Sequence, residues 1–318
     1  RGIPMNGARI VSVAAQRPAR SLSNTELPGD LEFDDEWIRS RTGIITRGVA
    51  TVEENMVELS AAAGAKAIAA AGIDPSTIDL TIVATSSNPV TTPGIAPPLT
   101  EKLELTSGAF DLMGACAGFC YGINVAADSV RTGSARNVLL VGAERISDRM
   151  DWSDRNTCYL FGDGAGAVII SATDADDDGI GPVVWGSDGA LKDYIAQPMD
   201  SPYLHMDGQA VYKWAITEVV KIAREACEKA GIEPSELAAF VPHQANLRII
   251  ESVSRSLGLT DATVVADDVK YAGNTSAASI PMALARLKDE GRIQSGDSTL
   301  FIGFGSGMTW ASQVVRCP

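Results

Sequence analysis

Two hexapeptides, Ala71-Gly72-Ile73-Asp74-Pro75-Ser76 and Ala230-Gly231-Ile232-Glu233-Pro234-Ser235, are nearly the same sequence, one in each half of the 318-residue chain. Each closes a helical stretch, about 56–70 in the first half and 211–229 in the second. Glycine stops a helix because it enters the left-handed region without steric cost, and the proline after it blocks continuation. Each hexapeptide precedes a short apolar run, at 80–84 and 238–241. Further on, each half reaches a glycine turn and then another helix. In the first half that point is Cys116, 44 residues past Gly72, before a helix over 117–131. In the second it is Asn274, 43 residues past Gly231, before a helix over 277–290. A fixed order of helix, strand, turn and helix, met twice, predicts a duplicated βα unit. By that symmetry Cys116 and Asn274 face one another across a pseudo-twofold axis.

Four more short apolar runs, 138–141, 167–170, 299–302 and 313–315, read as buried strands between helices and glycine turns. Strands alternating with helices give an α/β chain with mostly buried sheets. The acidic run Asp174-Ala175-Asp176-Asp177-Asp178 lacks the spacing of a calcium loop and reads as a solvated linker between halves spanning 5–173 and 179–318. Composition narrows the partners. At 45% hydrophobic and 21% charged, the chain can bury a sizeable core. Its net charge of -14 argues against nucleic acid as the main partner. No apolar run approaches a membrane span, and Arg1-Gly2-Ile3-Pro4 lacks the core of a signal peptide, so Met5 reads as the start. Five scattered cysteines with no CxxC pair predict a reducing cytoplasm and no zinc site.

Cys116 lies in Gly114-Ala115-Cys116-Ala117-Gly118-Phe119. Small residues on both sides let another molecule's thioester approach the sulfur. A cysteine opening a helix meets free N–H groups and the positive dipole end, which favour its thiolate. The chain has only two histidines. His243, in Pro242-His243-Gln244-Ala245-Asn246, leaves the carboxyl end of a buried strand, where α/β proteins bind ligands. His205 reads as a surface residue. Asn274, in Ala272-Gly273-Asn274-Thr275-Ser276, suits either a helix cap or a place beside Cys116 and His243 in a nucleophilic site. Two glycine-rich segments remain. Gly162-Asp163-Gly164-Ala165-Gly166 precedes a strand, so it fails as a dinucleotide fingerprint and reads as a tight turn. Gly303-Phe304-Gly305-Ser306-Gly307 has no lysine for a phosphate loop, and its backbone N–H groups suit an oxyanion.

GACAGF around Cys116, PHQANLRII from Pro242, AGNTSAAS from Ala272 and GFGSGMTW from Gly303 resemble the four blocks of β-ketoacyl-acyl carrier protein synthase III. DDEWIRSRTGI from Asp34 and FGDGAGA from Phe161 match as well, so the resemblance covers about 8–316. It implies the thiolase-like duplicated αβαβα five-layer α/β fold and a homodimer. It implies an enzyme that loads an acyl-CoA primer on Cys116 and condenses it with malonyl-acyl carrier protein, with loss of carbon dioxide, to start fatty acid synthesis. His243 and Asn274 would hold the enolate oxygen, and the N–H groups of Cys116 and Ser306 the tetrahedral oxyanion, with no metal or cofactor. Carried over by position, Trp37 and Arg155 would sandwich the CoA adenine, with Arg41 and Thr42 at its nucleotide end. Tyr212, Ala245 and Asn246 would line the pantetheine tunnel. Lys213, Arg248 and Arg255 would dock the acidic carrier protein, and Thr92 would close the acyl pocket of the partner subunit.

The chain departs from the family pattern at Ser306, where glycine is usual, and over 185–203, which should shape one pocket wall. A priming ketosynthase of a polyketide pathway would use the same residues with another starter, whereas an acyltransferase that esterifies without condensing would show loss of the decarboxylation pair, and Asn274 disfavours it. A non-catalytic ligand-binding scaffold would have no need of Cys116, His243 and Asn274 together.

Overall fold

The computed structural model describes residues 6–28 and 34–318; Met5 lies outside them. The first half contributes strands β1 (Gly7–Gln16), β2 (Leu80–Ala84), β3 (Gly108–Leu112), β4 (Asn137–Arg145) and β5 (Asp163–Thr173), with helices α1 (Asp35–Thr42), α2 (Met56–Ala71), α3 (Ala96–Lys102) and α4 (Gly118–Arg131). The second contributes β6 (Val184–Ser187), β7 (Ala239–Pro242), β8 (Val264–Val265), β9 (Ser298–Gly305) and β10 (Thr309–Arg316). Its helices are α5 (Gly208–Trp214), α6 (Val220–Ala230), α7 (Leu247–Leu257), α8 (Val269–Ala272) and α9 (Ser279–Asp289).

The two sheets have the same plan. The first runs β1-β5-β4-β2-β3 and the second β6-β10-β9-β7-β8. In both, the first two pairings are antiparallel and the last two parallel. The repeated hexapeptides do the same work in each half: Gly72 and Gly231 cap α2 and α6 in the left-handed region, at φ 64° and 68°. Helix α4 buries Phe119, Ile123, Ala127 and Val130, and α9 buries Ile280, Ala283, Leu284 and Leu287, in one core shared by both sheets. The outer face of the first sheet packs on α2, through Leu59, Ala63 and Ala67. That of the second packs on α6 and α7, through Ile222, Ala226, Ile249 and Val253. Helix, sheet, paired helices, sheet and helix make the five layers of a thiolase-like α/β fold.

Several sequence expectations are refined. Strands β4, β5, β9 and β10 run well past their apolar cores. Helix 211–229 is interrupted by a π-helical turn over Ala215–Val219. The acidic run is fastened down: Asp177 pairs with Arg9 at 3.1 Å and Asp178 with Arg131 at 2.8 Å. Of the Gly162–Gly166 run, Asp163–Gly166 is strand and not turn. Its glycines admit close neighbours, since a Cβ on Gly166 would stand 2.7 Å from Pro281 Cβ and 2.8 Å from Met282 N. The halves also match in a different register. Ala115 and Ser276 are the paired left-handed residues, at φ 46° and 47°, each opening a 3-10 turn before α4 or α9. Cys116 is therefore matched by Ala277, and Asn274 lies before that turn.

The halves meet with no space to spare at Gly142 in β4, where a Cβ would collide with the carbonyl oxygen of Ala277. Gly142→Ala should therefore destabilise the protein by about 3 kcal/mol or more, the upper end of overpacking costs. Chemical denaturation should show a lower midpoint with an unchanged slope. An unchanged midpoint would mean that the two turns part easily.

Candidate active site

Cys116, His243 and Asn274 line a single cleft of about 1550 Å³. That exceeds a drug-sized pocket and leaves room for a long, thin substrate. Each residue is delivered by a different piece of the duplicated fold. Cys116 sits in the 3-10 turn Ala115–Ala117 that leads into α4. The strand β9 presses on this turn from the other half. A Cβ on Gly305 would lie 2.9 Å from both Cys116 N and Cys116 Cβ, and 3.1 Å from Sγ. Only glycine fits there, and the loop Gly303–Gly307 is thereby laid directly over the sulfur. Ser306 takes its place in that loop without left-handed backbone; the positive φ falls on Gly307, at 132°. Ser306 also donates its hydroxyl to Ile195 O at 2.6 Å.

Asn274 lies just before Thr275, the N-cap of the 3-10 turn, and lines the cleft. Its backbone is bonded to the segment before β5, with Asn274 N donating to Leu160 O at 2.8 Å and Gly162 N to Asn274 O at 3.0 Å. Its Oδ1 accepts from Ser276 N at 2.9 Å. A backbone N–H can only donate, so the amide orientation is settled and Nδ2 is the end left for the cleft. His243 follows β7, its N–H donating to Ile302 O at 2.7 Å. The imidazole is buried, with Nδ1 2.8 Å from Ser279 Oγ and the ring edge-on to Phe304 at 5.3 Å.

Burial sets the charge states. It pushes His243 down from its ordinary value to about 3, so the ring is neutral at physiological pH. It pushes the Cys116 thiol up to about 12, helped by the nearby Glu144 carboxyl. A hydrogen bond from Ser276 and the residue's own N–H act the other way but do not prevail. Cys116 belongs to a 3-10 turn and not to the α-helix proper, and desolvation works against the thiolate that the helix N-terminus was expected to favour. Glu144 is a residue the sequence reading passed over. Fully buried in β4, it accepts from Ser86 N at 3.1 Å, Ser86 Oγ at 2.9 Å, Thr85 Oγ1 at 3.1 Å and, across the halves, Ala277 N at 3.4 Å. A lone acid inside the apolar run VLLVGAER was its signal in the sequence.

The mouth of the cleft is built by α1 and α7. Gly43, which ends α1, comes so close to Leu247 that a Cβ would stand 2.5 Å from Leu247 Cβ. Trp37 and Arg41 line the mouth, with the Arg41 guanidinium 4.2 Å from the Trp37 ring centre and Tyr159 edge-on to the same indole at 5.5 Å. Thr42 borders the cleft, but its hydroxyl is spent locally, donating to Ile38 O and accepting from Ile44 N. Asn246 caps α7 by accepting from Arg248 N at 2.9 Å and donates to Arg41 O at 3.2 Å. Tyr212, Lys213, Ala245 and Arg248 complete this wall.

Three expected residues lie outside the lining of this cleft. Arg155 is exposed and is not part of the cleft lining. Arg255 stands on the exposed face of α7, about 10 Å along the axis from Arg248. Thr92 is exposed outside the cleft of its own chain, which Val90 and Thr91 line instead. Residues of the 185–203 segment, among them Ile195, Gln197, Pro198 and Met199, do form one wall. His205 is exposed, with Nε2 3.0 Å from Ser201 Oγ.

Comparison with known proteins agrees with this arrangement. Residues 110–189 match the family described as 3-oxoacyl-[acyl-carrier-protein (ACP)] synthase III, and residues 227–317 its C-terminal counterpart. A β-ketoacyl-[acyl-carrier-protein] synthase III of Streptomyces coelicolor is 46% identical over 98% of this chain and 99% of its own. The chain belongs to the β-ketoacyl-acyl carrier protein synthase III family. A family member from Mycobacterium avium is 43% identical over 97% of this chain and 95% of its own. Among solved structures, the priming β-ketosynthase of the R1128 polyketide pathway superposes with a TM-score of 0.95 at 41% identity, over 100% of this chain and 98% of that one. The synthase III of Pseudomonas aeruginosa PAO1 gives 0.92 at 35% identity, over 98% of each. The chain is thus an enzyme of the synthase III family, with its cysteine held as a thiol at rest.

That protonation state is measurable. Alkylation of Cys116 by iodoacetamide, followed by mass spectrometry of its peptide, should keep rising with pH through the ordinary cysteine range near about 8.5. A rate that levels off below about pH 7 would mean a resting thiolate.

Proposed function

We propose that the chain condenses an acyl primer with a malonyl thioester in two stages, as the first step of fatty acid synthesis. What carries the reading is the convergence of one cysteine and two neutral donors, His243 and the Asn274 amide, on one cleft. In the first stage Cys116 Sγ attacks the acyl-CoA carbonyl. The C–S bond to CoA breaks, the thiol proton leaves with CoA, and an acyl-enzyme remains. In the second stage malonyl-acyl carrier protein enters and its C–C bond to the carboxylate breaks, releasing carbon dioxide. The enolate oxygen that forms is held by His243 and Asn274. Its carbon then attacks the acyl-Cys116 carbonyl, the Cys116 C–S bond breaks, the sulfur leaves as a thiolate that takes a proton from solvent, and a 3-ketoacyl thioester departs. The N–H groups of Cys116 and Ser306 hold the tetrahedral oxyanion. Neutral donors suit this chemistry, because negative charge develops only as bonds break.

The basic mouth supports CoA and carrier-protein binding by a chain of net charge -14. Arg41, Lys213 and Arg248 stand together at the rim, a local positive field for phosphates and for an acidic carrier. The adenine would stack at Trp37, with Tyr212, Ala245 and Asn246 along the pantetheine. Arg155 and Arg255 lie outside the cleft and would serve only at the periphery of the bound partners. No metal or cofactor takes part in this scheme. A homodimer fits the exposed edge: β3 ends its sheet and presents Phe110, 41% exposed, with Met113 beside it at 80%. A cytoplasmic setting fits the free cysteines. The likeness to the R1128 priming β-ketosynthase favours, as a second reading, the same condensation supplying a polyketide starter.

Intact-protein mass spectrometry after incubation with acyl-CoAs tests the first stage, and carbon dioxide release from malonyl-acyl carrier protein the second. Cys116→Ser should lose acylation. His243→Ala and Asn274→Ala should remain acylated while decarboxylation falls about 10²- to 10³-fold, the usual cost of one such donor. Normal condensation by Asn274→Ala would reduce that residue to a cap.

Primer choice is the second test. Thr92 is small and exposed on its own chain, and we expect branched or medium-length primers to be accepted. Thr92→Phe should shift preference toward acetyl-CoA by filling that volume. An unchanged primer profile would transfer the role to the 185–203 wall.

A further inference from the structure

Ser279 is a residue to which neither the motifs nor the mechanism gives a part. It opens α9, is 1% exposed, and its hydroxyl has two neighbours. Gln244 N lies 3.2 Å away and His243 Nδ1 2.8 Å away. The first neighbour can only donate, so Oγ is its acceptor. Serine in a helix often turns its hydroxyl to the carbonyl four residues back. Here no such bond forms among the described residues, and Nδ1 is the one atom left to receive the Ser279 proton. The reverse assignment, with Nδ1–H donating to Oγ, would leave a buried O–H with no acceptor, which buried hydroxyls rarely tolerate. The surrounding ring contacts hold this orientation. Gln244 is itself anchored, Nε2 donating to Pro242 O at 2.8 Å and Oε1 accepting from Val269 N at 3.1 Å, so the backbone that carries the imidazole does not drift.

We propose that Ser279 is a positioning residue: its hydroxyl donates to His243 Nδ1 and so fixes the tautomer that carries its proton on Nε2, the nitrogen left for the cleft. Two consequences follow for the reaction. His243 enters the second stage already a donor, which the enolate oxygen requires. It also has no lone pair to offer Cys116, because Nε2 is protonated and Nδ1 is engaged. The Cys116 proton therefore leaves by a route other than His243. This inference rests on the condensation proposed above, and its test separates the two.

The chain's two histidines make the tautomer directly observable. Protein labelled with 15N in the imidazole rings, compared with His205→Gln for assignment, should show His243 with unprotonated Nδ1 and protonated Nε2 in 15N NMR. In Ser279→Ala that bias should vanish or reverse. Carbon dioxide release from malonyl-acyl carrier protein should fall about 10- to 100-fold, as when other partners that orient a histidine are removed. Acylation of Cys116 should stay within about twofold of wild type. Ser279→Thr, which keeps the hydroxyl, should recover both the tautomer and the decarboxylation rate; a packing role alone would move neither in step. The wild-type spectrum decides the matter even if Ser279→Ala does not fold: a protonated Nδ1 there overturns the proposal. So does a folded Ser279→Ala with wild-type tautomer and wild-type decarboxylation. If wild type releases no carbon dioxide at all, the condensation reading fails, while the tautomer assignment still stands or falls on the spectrum.

Discussion

Gly142 and Gly305 carry no side chain at two places where one half of the molecule is pressed against the turn of the other. The strand β4 reaches the turn before α9 at Gly142, and β9 reaches the turn before α4 at Gly305. Both approaches are too close for even a methyl group. They hold the turns Ala115–Ala117 and Ser276–Ala278 against each other and keep two left-handed non-glycine residues, Ala115 and Ser276, where they would not otherwise stay. The cleft, the sulfur and the amide of Asn274 all hang on that contact.

Electrostatics follow from the same packing. A site this enclosed penalises charge, so the histidine is neutral and the cysteine is a thiol. The fully buried Glu144 carboxyl is also pushed up by burial, while Ser87, Ser276 and Ser86 hydrogen bonds pull it back. Its bonds to Thr85 and Ser86 on one side and Ala277 on the other join the halves by polar contacts, where the glycines join them by shape. Neutral donors held in place before the reaction act most strongly when negative charge appears in the substrate as bonds break.

Much of this was legible in the sequence because it is local. The repeated AGI(D/E)PS stops, the apolar run that became β2 with its ends unchanged, and the small residues around Cys116 are all signals within a few positions of one another. Non-local facts were harder. That Cys116 pairs with Ala277 and not with Asn274 depends on loop lengths, which differ between the halves. The cysteine's protonation depends on desolvation by residues from both halves, so a helix-dipole argument from its own neighbours pointed the wrong way. Ser279 reads as an ordinary small residue in a helix; only the fold sets it beside His243.

The register of the duplication also divides labour. Two copies of one turn, bent alike, would present two equivalent sulfurs if both carried cysteine. With alanine at 277, the acyl group has one seat. The second copy keeps the bend without the nucleophile, and its backbone is free for other work: Ser276 N orients the Asn274 amide and Ala277 N reaches Glu144. A twofold architecture thus yields a one-way reaction centre, in which one turn bears the substrate and its twin supports the groups that act on it.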